Sequence, residues 1–118
     1  MAKILIIDDE ISIRSLFKRI LKDEHIIKEC GDGVAGLKMV REEDFDLIFL
    51  DIKLPFSDGF DIMKKIKEIK PNIKIIIMTG DPSKENIKKT KEISADGFIA
   101  KPFNIMELKE IVSQILQT

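Results

Sequence analysis

The chain contains no tryptophan or tyrosine, and only one cysteine and one histidine, in 118 residues. A lone Cys30 cannot close an internal disulfide, which fits a reducing compartment and excludes the small folds stapled by disulfides. Cys30 ends the apolar run opened by Ile26 and Ile27, so a buried, inert thiol is expected there. Charge of one sign is also missing. Twenty basic side chains face 21 acidic ones, a net charge of −1. That balance gives no global reason to expect a nucleic acid or a membrane surface as partner. No apolar run approaches the roughly 20 residues of a membrane span, and no secretory leader precedes the first strand. The expectation is one cytoplasmic domain over residues 1–118, long enough to bury a core. Repeats, low-complexity stretches and linkers are absent too.

What is present is an alternation of short apolar runs and stretches of helical period. The runs are Ile4-Leu5-Ile6-Ile7, Leu47-Ile48-Phe49-Leu50 and Ile75-Ile76-Ile77-Met78, with weaker ones at Ile26-Ile27 and Phe98-Ile99-Ala100. Strands apolar at every position are buried on both faces, as in a parallel sheet covered by helices. Between them, Ile13, Leu16, Phe17, Ile20 and Leu21 mark one buried helical face. Val34, Leu37 and Val40 mark a second, and Ile62, Met63, Ile66 and Ile69 a third, closed by Pro71-Asn72. A last helix opens at Asn104, with Glu107 three residues on as in a capping box, and turns Leu108, Ile111, Val112 and Ile115 inward. The fourth helix, residues 83–93, has only Ile87 and Ile93 as strong apolar positions, crowded by Lys84, Lys88, Lys89 and Lys91. It reads as a solvated, weakly anchored surface helix or as a face used by a partner. The order is (βα)5 with short connections, and right-handed crossovers make it a doubly wound sheet.

In such a sheet ligands bind outside the carboxyl ends of the strands. The residues directly after the runs are Asp8-Asp9-Glu10, Asp51, Thr79-Gly80-Asp81 and Lys101-Pro102. Singly, each has an ordinary role: Asp8 and Asp9 as helix caps, Thr79-Gly80 as turn chemistry, Lys101 as a solvated lysine. Together they place a hydroxyl, a lysine and at least three carboxylates at one sheet edge. Carboxylates so close raise one another's pKa unless a cation intervenes. A hard divalent ion with oxygen ligands compensates them, and Mg²⁺ typically takes one or two carboxylates and reaches toward a phosphate. The cluster offers no sulfur, and His25, in the loop before the second strand, reads as an exposed loop residue, which argues against zinc.

These residues resemble the receiver domain of two-component response regulators over essentially the whole chain. The resemblance is carried by Ile6-Ile7-Asp8-Asp9-Glu10, by Leu50-Asp51-Ile52-Lys53-Leu54-Pro55 through Asp58-Gly59, by Ile77-Met78-Thr79-Gly80, and by Phe98-Ile99-Ala100-Lys101-Pro102-Phe103. It implies a flavodoxin-like (βα)5 three-layer sandwich whose parallel five-stranded sheet has the order 2-1-3-4-5. It implies that Asp51 is the phosphoacceptor, attacking the phosphohistidine of a sensor histidine kinase or a histidine phosphotransfer protein. Asp9, Asp51 and the main-chain carbonyl of Lys53 would ligate Mg²⁺, for which Mn²⁺ can substitute, and Asp8 would act through a water. Lys101 and Thr79 would bind phosphoryl oxygens, with the Lys101–Pro102 peptide cis. Phe98 stands at the aromatic switch position, so that phosphorylation would bias the surface of the fourth helix, fifth strand and fifth helix toward a downstream target protein. Lys53 and Asp81 stand where the lifetime of the phosphoryl group is tuned.

The same resemblance implies a signalling domain that catalyses only its own phosphorylation and dephosphorylation, without direct nucleic-acid or membrane contact. It would be a monomer or a phosphorylation-dependent homodimer, either stand-alone or cut from a longer regulator. Three positions depart from the common pattern: Gly80 where alanine is frequent, Asp81-Pro82 as a stiffened, more acidic loop, and Ser94-Ala95 in place of Gly-Ala. A Mg²⁺-dependent phosphohydrolase would want a second acid two residues after its nucleophile, and that position is Lys53. A flavin carrier would need a hydroxyl- and glycine-rich phosphate loop after the first strand, where Asp8-Asp9-Glu10 would repel the phosphate.

Overall fold

The computed structural model describes residues 1 to 117 except Pro82, so the expected stiffening of the loop at Pro82, like Thr118, lies outside the described residues. In chain order the elements are β1 (Lys3–Ile7), α1 (Ile11–Leu21), β2 (Ile26–Cys30), α2 (Gly33–Glu42), β3 (Leu47–Asp51), β4 (Lys53–Leu54), β5 (Ser57–Asp58), α3 (Gly59–Ile69), β6 (Lys74–Thr79), α4 (Lys84–Glu92), β7 (Gly97–Ala100) and α5 (Ile105–Leu116). Five of the strands form one parallel sheet in the order β2-β1-β3-β6-β7. This is the doubly wound 2-1-3-4-5 order, with β6 and β7 as its fourth and fifth strands. Among the described residues no helix is long and apolar enough to cross a membrane.

The period of two along each strand sorts the core into two layers. Ile4 and Ile6 of β1, Leu47 and Phe49 of β3, and Ile76 and Met78 of β6 pack against Phe17, Leu21, Leu108 and Val112 of α1 and α5. The alternate residues Leu5, Ile7, Ile48, Leu50, Ile75 and Ile77 pack against Val40, Met63 and Ile66 of α2 and α3. Burying each such side chain contributes about 1.5–3 kcal/mol, and a one-residue slip would exchange the two layers, so the register is firmly set. Phe17 also joins Phe49 at 4.7 Å and Phe103 at 5.5 Å between ring centroids, tying β3 to the segment after β7. As an edge strand β2 is less buried, with Ile26 and Lys28 exposed.

Four helices begin on side-chain caps. Asp32, Asp58, Ser83 and Asn104 accept from the N–H of Ala35, Phe60, Asn86 and Glu107 at 2.8, 2.8, 3.3 and 2.8 Å, each worth about 1 kcal/mol. The first helix has no side-chain cap at Glu10, so Asp8 and Asp9 are not spent as its N-cap. The fourth is held unevenly. Its buried residue is Thr90, whose hydroxyl donates to Asn86 O at 2.9 Å. Beyond its C-terminus Ser94 takes φ 59°, Ile93 and Ala95 pack on the core, and Asp96 both donates to Ile75 O at 2.9 Å and accepts from Ile75 N at 2.8 Å. Lys67 of α3 joins the same knot through Asp96 and Ile73 O.

Several local expectations are corrected. Val34, expected on the buried stripe of α2, is 74% exposed. It is the second residue of the helix, and a side chain leaning N-terminally from the first turn clears the sheet edge. His25 is half-buried, not a free loop residue, and its Nδ1 accepts from Ala2 N–H at 3.0 Å. The connection after Asp51 carries a hairpin that no run or stripe in the sequence marks. β4 and β5 form a two-pair antiparallel hairpin, and Phe56 at its tip is fully exposed with φ 60°, a left-handed conformation costing a non-glycine residue about 1–2 kcal/mol. Cys30 is half-buried, and burial pushes its thiol up to about 11, in keeping with an inert group.

Where α3 leaves the hairpin it comes against the end of β3. A Cβ on Gly59 would lie 2.3 Å from Ile52 Cα and 2.5 Å from Asp51 O, both backbone, whereas one on Gly80 meets nothing within 4 Å. Gly59→Ala is expected to cost about 3 kcal/mol or more, because neither neighbour can yield without moving the strand. Gly80→Ala should stay within about 0.5 kcal/mol of the parent. Urea unfolding of both variants checks the contrast, which equal effects would remove.

Candidate functional site

Because the strands pair in register, with Ile7 opposite Leu50, Asp51 opposite Met78 and Thr79 opposite Ala100, their last residues come level at the carboxyl edge of the sheet. The apolar β1 delivers Asp8 there with no exposure, β3 delivers Asp51 at 5% and β6 delivers Thr79 at 3%. β7 is followed directly by Lys101, whose N–H donates to Thr79 O at 2.7 Å. One carboxylate oxygen each from Asp8, Asp9, Glu10 and Asp51 lies within 4.8 Å of the others. Asp9 and Glu10 are exposed at the mouth, while Asp8 and Asp51 form the floor.

A single ammonium holds the floor together. Lys101 Nζ stands 2.7 Å from Asp8 Oδ2, 3.1 Å from Asp51 Oδ2 and 3.3 Å from Glu10 Oε1. The other oxygens of the two floor residues are held by backbone: Asp8 Oδ1 accepts from Glu10 N–H at 2.8 Å, and Asp51 Oδ1 from Lys53 N–H at 3.0 Å. Burial raises the pKa of Asp8. The Lys101 contact and the Glu10 N–H pull it back, while the charge of Asp51 pushes it further up. Burial also works against the Lys101 ammonium. The close ion pair with Asp8 and the field of Asp51 outweigh it, leaving its pKa above the ordinary lysine range.

The cluster gathers four carboxylates around one ammonium, which contacts three of them, so it carries excess negative charge. Asp8 Oδ2 is buried without a hydrogen bond of good geometry despite the close ammonium. Its donors are all hard oxygens, with no sulfur or imidazole among them. The set therefore fits a hard divalent cation such as Mg²⁺ and does not fit zinc.

Of the other residues singled out from the sequence, Thr79, Asp81, Lys53 and the Lys101–Pro102 peptide lie at the same edge, and Phe98 lies on the face between β7 and α5. Thr79 Oγ1 is turned into its own loop, donating to Asp81 O at 3.0 Å and accepting from Asp81 N–H at 2.9 Å. The same Asp81 carbonyl accepts from Asn86 Nδ2 of α4 at 2.9 Å, and the Asp81 residue itself is exposed. Lys53 is exposed at the start of the hairpin. The Lys101–Pro102 peptide is cis. Phe98, 38% exposed on β7, lines a shallow groove with Glu107, Ile111 and Gln114 of α5. Two residues went unassigned in the sequence. Glu10 joins the carboxylate cluster, and Arg14 Nη1 donates to Asp8 O at 2.7 Å while its Nε reaches Glu29 Oε1 at 3.3 Å. A basic residue one turn into the helix that follows an acidic strand end was the available signal for Arg14.

The family model of the response regulator receiver domain matches residues 4–113. The chain belongs to this family. It is 38% identical to sporulation initiation phosphotransferase F of Bacillus subtilis over 97% of this chain and 93% of that protein. It is 36% identical to the chemotaxis protein CheY of Halobacterium salinarum over 98% of each. A CheY-like receiver domain protein of Methanospirillum hungatei has the same structure at a TM-score of 0.94, with 32% identity over 99% of this chain and 94% of that one. The doubly wound sheet and the membership expected from the strand-end residues are thus both found.

In this receiver domain the Lys101 ammonium should matter most when both floor carboxylates are charged. Because the folded-state pKa of Asp8 is raised, its charged form costs stability, increasingly as pH rises from about 3.8 through the folded value. The raised folded-state pKa of Lys101 adds stability that is complete below the ordinary lysine value and lost as pH rises through the folded one. Lys101→Met, without divalent cations, is expected to lose about 2–4 kcal/mol near pH 7, and less near pH 4.5, where protonation relieves Asp8, whose pKa burial raises. Urea midpoints at the two pH values test this, and a pH-independent deficit would contradict it.

Proposed function

We propose that this receiver domain accepts a phosphoryl group on Asp51 from the phosphohistidine of a histidine kinase or a histidine phosphotransfer protein, and works in the cytoplasm as a switch or carrier for protein partners. The observation that carries the reading is Asp51 itself. It is a nearly buried carboxylate on the central strand, oriented by Lys53 N–H and the Lys101 ammonium, beside an oxygen cluster suited to a divalent cation.

In the transfer an Asp51 carboxylate oxygen attacks phosphorus, the P–N bond to the donor imidazole breaks as the P–O bond forms, and the leaving imidazole takes up a proton. Asp9, Asp51 and the Lys53 carbonyl would hold Mg²⁺, or Mn²⁺ in its place, with Asp8 acting through a water. The ion supplies charge neutralisation for the phosphoryl oxygens. Lys101 supplies a second positive charge at the same point, already desolvated and fixed by Asp8. The burial of Asp8 and Asp51 keeps bulk water from the acceptor. Lys53 and Asp81, exposed at the rim, are placed for their charges to tune how long the acyl phosphate survives. The position two residues after Asp51 holds that lysine and not an acid, which sets the chain apart from a turnover phosphohydrolase.

The switch follows from Thr79. To bond a phosphoryl oxygen its hydroxyl must leave the Asp81 backbone, and the Asp81 carbonyl is also the acceptor for Asn86 of α4. Phosphorylation thus alters the hydrogen bonding at the N-terminal end of α4, and Phe98 is free to turn toward the space left by Thr79. The affected surface is that of α4, β7 and α5, a face for a downstream target protein or for a phosphorylation-dependent homodimer.

Incubation with phosphoramidate and Mg²⁺ should give one phosphoryl adduct by intact mass, lost on chelation and in Asp51→Asn. No adduct, together with no Mg²⁺-dependent binding of beryllofluoride, would refute the assignment. Beryllofluoride should also change amide exchange over residues 83–93 by severalfold, with a smaller change in Asn86→Ala. Exchange that is insensitive to the mimic in the parent chain would remove the proposed coupling to α4.

A further inference from the structure

The turn Asp8-Asp9-Glu10 is tied to the edge strand β2 on both sides of Asp8. The Asp8 N–H donates to Cys30 O at 3.2 Å. The Asp8 carbonyl accepts from Arg14 Nη1 at 2.7 Å, and the Nε of the same guanidinium donates to Glu29 Oε1 at 3.3 Å. Lys18 Nζ stands 3.0 Å from the other Glu29 oxygen, so Glu29 is itself held. The Arg14 side chain is only 16% exposed and lies in a fitted slot. A Cβ on Gly31 would come 3.2 Å from Arg14 Nη1, the nitrogen that reaches Asp8. A lysine is no equivalent, because only the planar fork meets two acceptors at a fixed angle.

What the fork fixes is a peptide plane. Asp8 C=O and Asp9 N–H belong to one rigid unit, so holding the oxygen sets the direction in which Asp9 leaves the strand. The Asp8 carboxylate is gripped separately, by Lys101 and by Glu10 N–H. Asp9 is exposed at the mouth, and α1 starts without a side-chain cap that would steady the turn from the other side. The charge of Arg14 does not explain its place. A positive group beside a cation site weakens cation binding by Coulomb repulsion, and the cluster already has an ammonium in Lys101. The gain lies in geometry, since groups that orient metal ligands without touching the metal change affinity by about 10–100-fold.

Resting on the reading that this cluster holds Mg²⁺ while Asp51 accepts a phosphoryl group, we infer that Arg14 is a positioning residue of the cation site. It aims Asp9 through the Asp8 carbonyl, and Glu29 holds Arg14 in that role. The test measures Mn²⁺ affinity of the unphosphorylated full chain from the EPR signal of the free ion, with Mg²⁺ as competitor and urea midpoints alongside. Arg14→Met should bind Mn²⁺ about tenfold more weakly or worse. It should label with phosphoramidate slowly at limiting Mg²⁺ and approach the parent rate at saturating Mg²⁺. Glu29→Gln and Glu29→Ala remove the same charge, but glutamine keeps an acceptor for Arg14 Nε. The glutamine variant should therefore bind Mn²⁺ several-fold tighter than the alanine one, and this pair decides if Arg14→Met does not fold. An Arg14→Met affinity equal to the parent's, with a lowered urea midpoint, leaves Arg14 a structural role only, and a tighter affinity leaves only its charge. Either result overturns the assignment, as do equal affinities in the Glu29 pair. A parent that binds no Mn²⁺ overturns the cation site and this role with it. A parent that binds Mn²⁺ but is not labelled overturns the phosphoacceptor reading alone, and the affinities still decide the role of Arg14.

Discussion

One ammonium shared by two carboxylates out of reach of water governs the carboxyl edge of this sheet. Asp8 and Asp51 end neighbouring strands, and their proximity is affordable only because Lys101 lies 2.7 and 3.1 Å from them. Moving each of these ions out of water costs several kcal/mol, and the contact offsets that loss only if its geometry is held. Lys101 follows β7, yet β6 stands between β7 and β3 in the sheet. The lysine therefore reaches across the end of β6, steadied by its own N–H on Thr79 O. Strand order, register and the Lys101–Thr79 hydrogen bond all converge on where a single nitrogen sits.

The rest of the molecule can be understood as support for that edge. β1, β3 and β6 are buried from both sides, and the two apolar layers they divide leave each strand no alternative register. The free energy gained there carries an edge that is itself unfavourable, a common arrangement where a functional site is less stable than it could be. Even with Lys101 in place the cluster is under-neutralised, and Asp9 and Glu10 at its mouth extend the negative field into solvent. Such a field concentrates cations at the one place where a buried carboxylate can use them.

Most of this was legible in the sequence because it depends on patterns that tertiary context reinforces. Uniformly apolar runs could only be strands buried on both faces, and once the strands were set, Asp8, Asp51, Thr79 and Lys101 had to fall at one edge. The capping residues Ser83 and Asn104 likewise stand where the helices begin. What escaped has a common physical origin. Helical periodicity says which face turns inward but not where the sheet beneath it stops, so Val34 was placed on a buried stripe that its first-turn position overshoots. A two-pair hairpin is too short to show a period of two, and its tip at Phe56 takes a backbone that no residue pattern there announces. His25 finds its partner in the backbone of Ala2, far away in sequence, which local reading cannot see. Arg14 signals itself only as a basic residue one turn into the first helix, while its partner Asp8 O is a carbonyl that side-chain chemistry does not reveal.

The fastening of α4 has a mechanical consequence. At its C-terminal end Ala95 is packed on the core and Asp96 is tied to Ile75 twice and to Lys67 once. At its N-terminal end the described link to the sheet is one backbone carbonyl, Asp81 O, shared by Thr79 and Asn86. The helix is thus a beam clamped at one end and hung from a single pin at the other. On the proposed reading, a change of partner by the Thr79 hydroxyl at that pin would tilt such a beam about Asp96. The displacement would grow along its length toward Asp81, in a direction set by the clamp and not by the partner that comes to feel it.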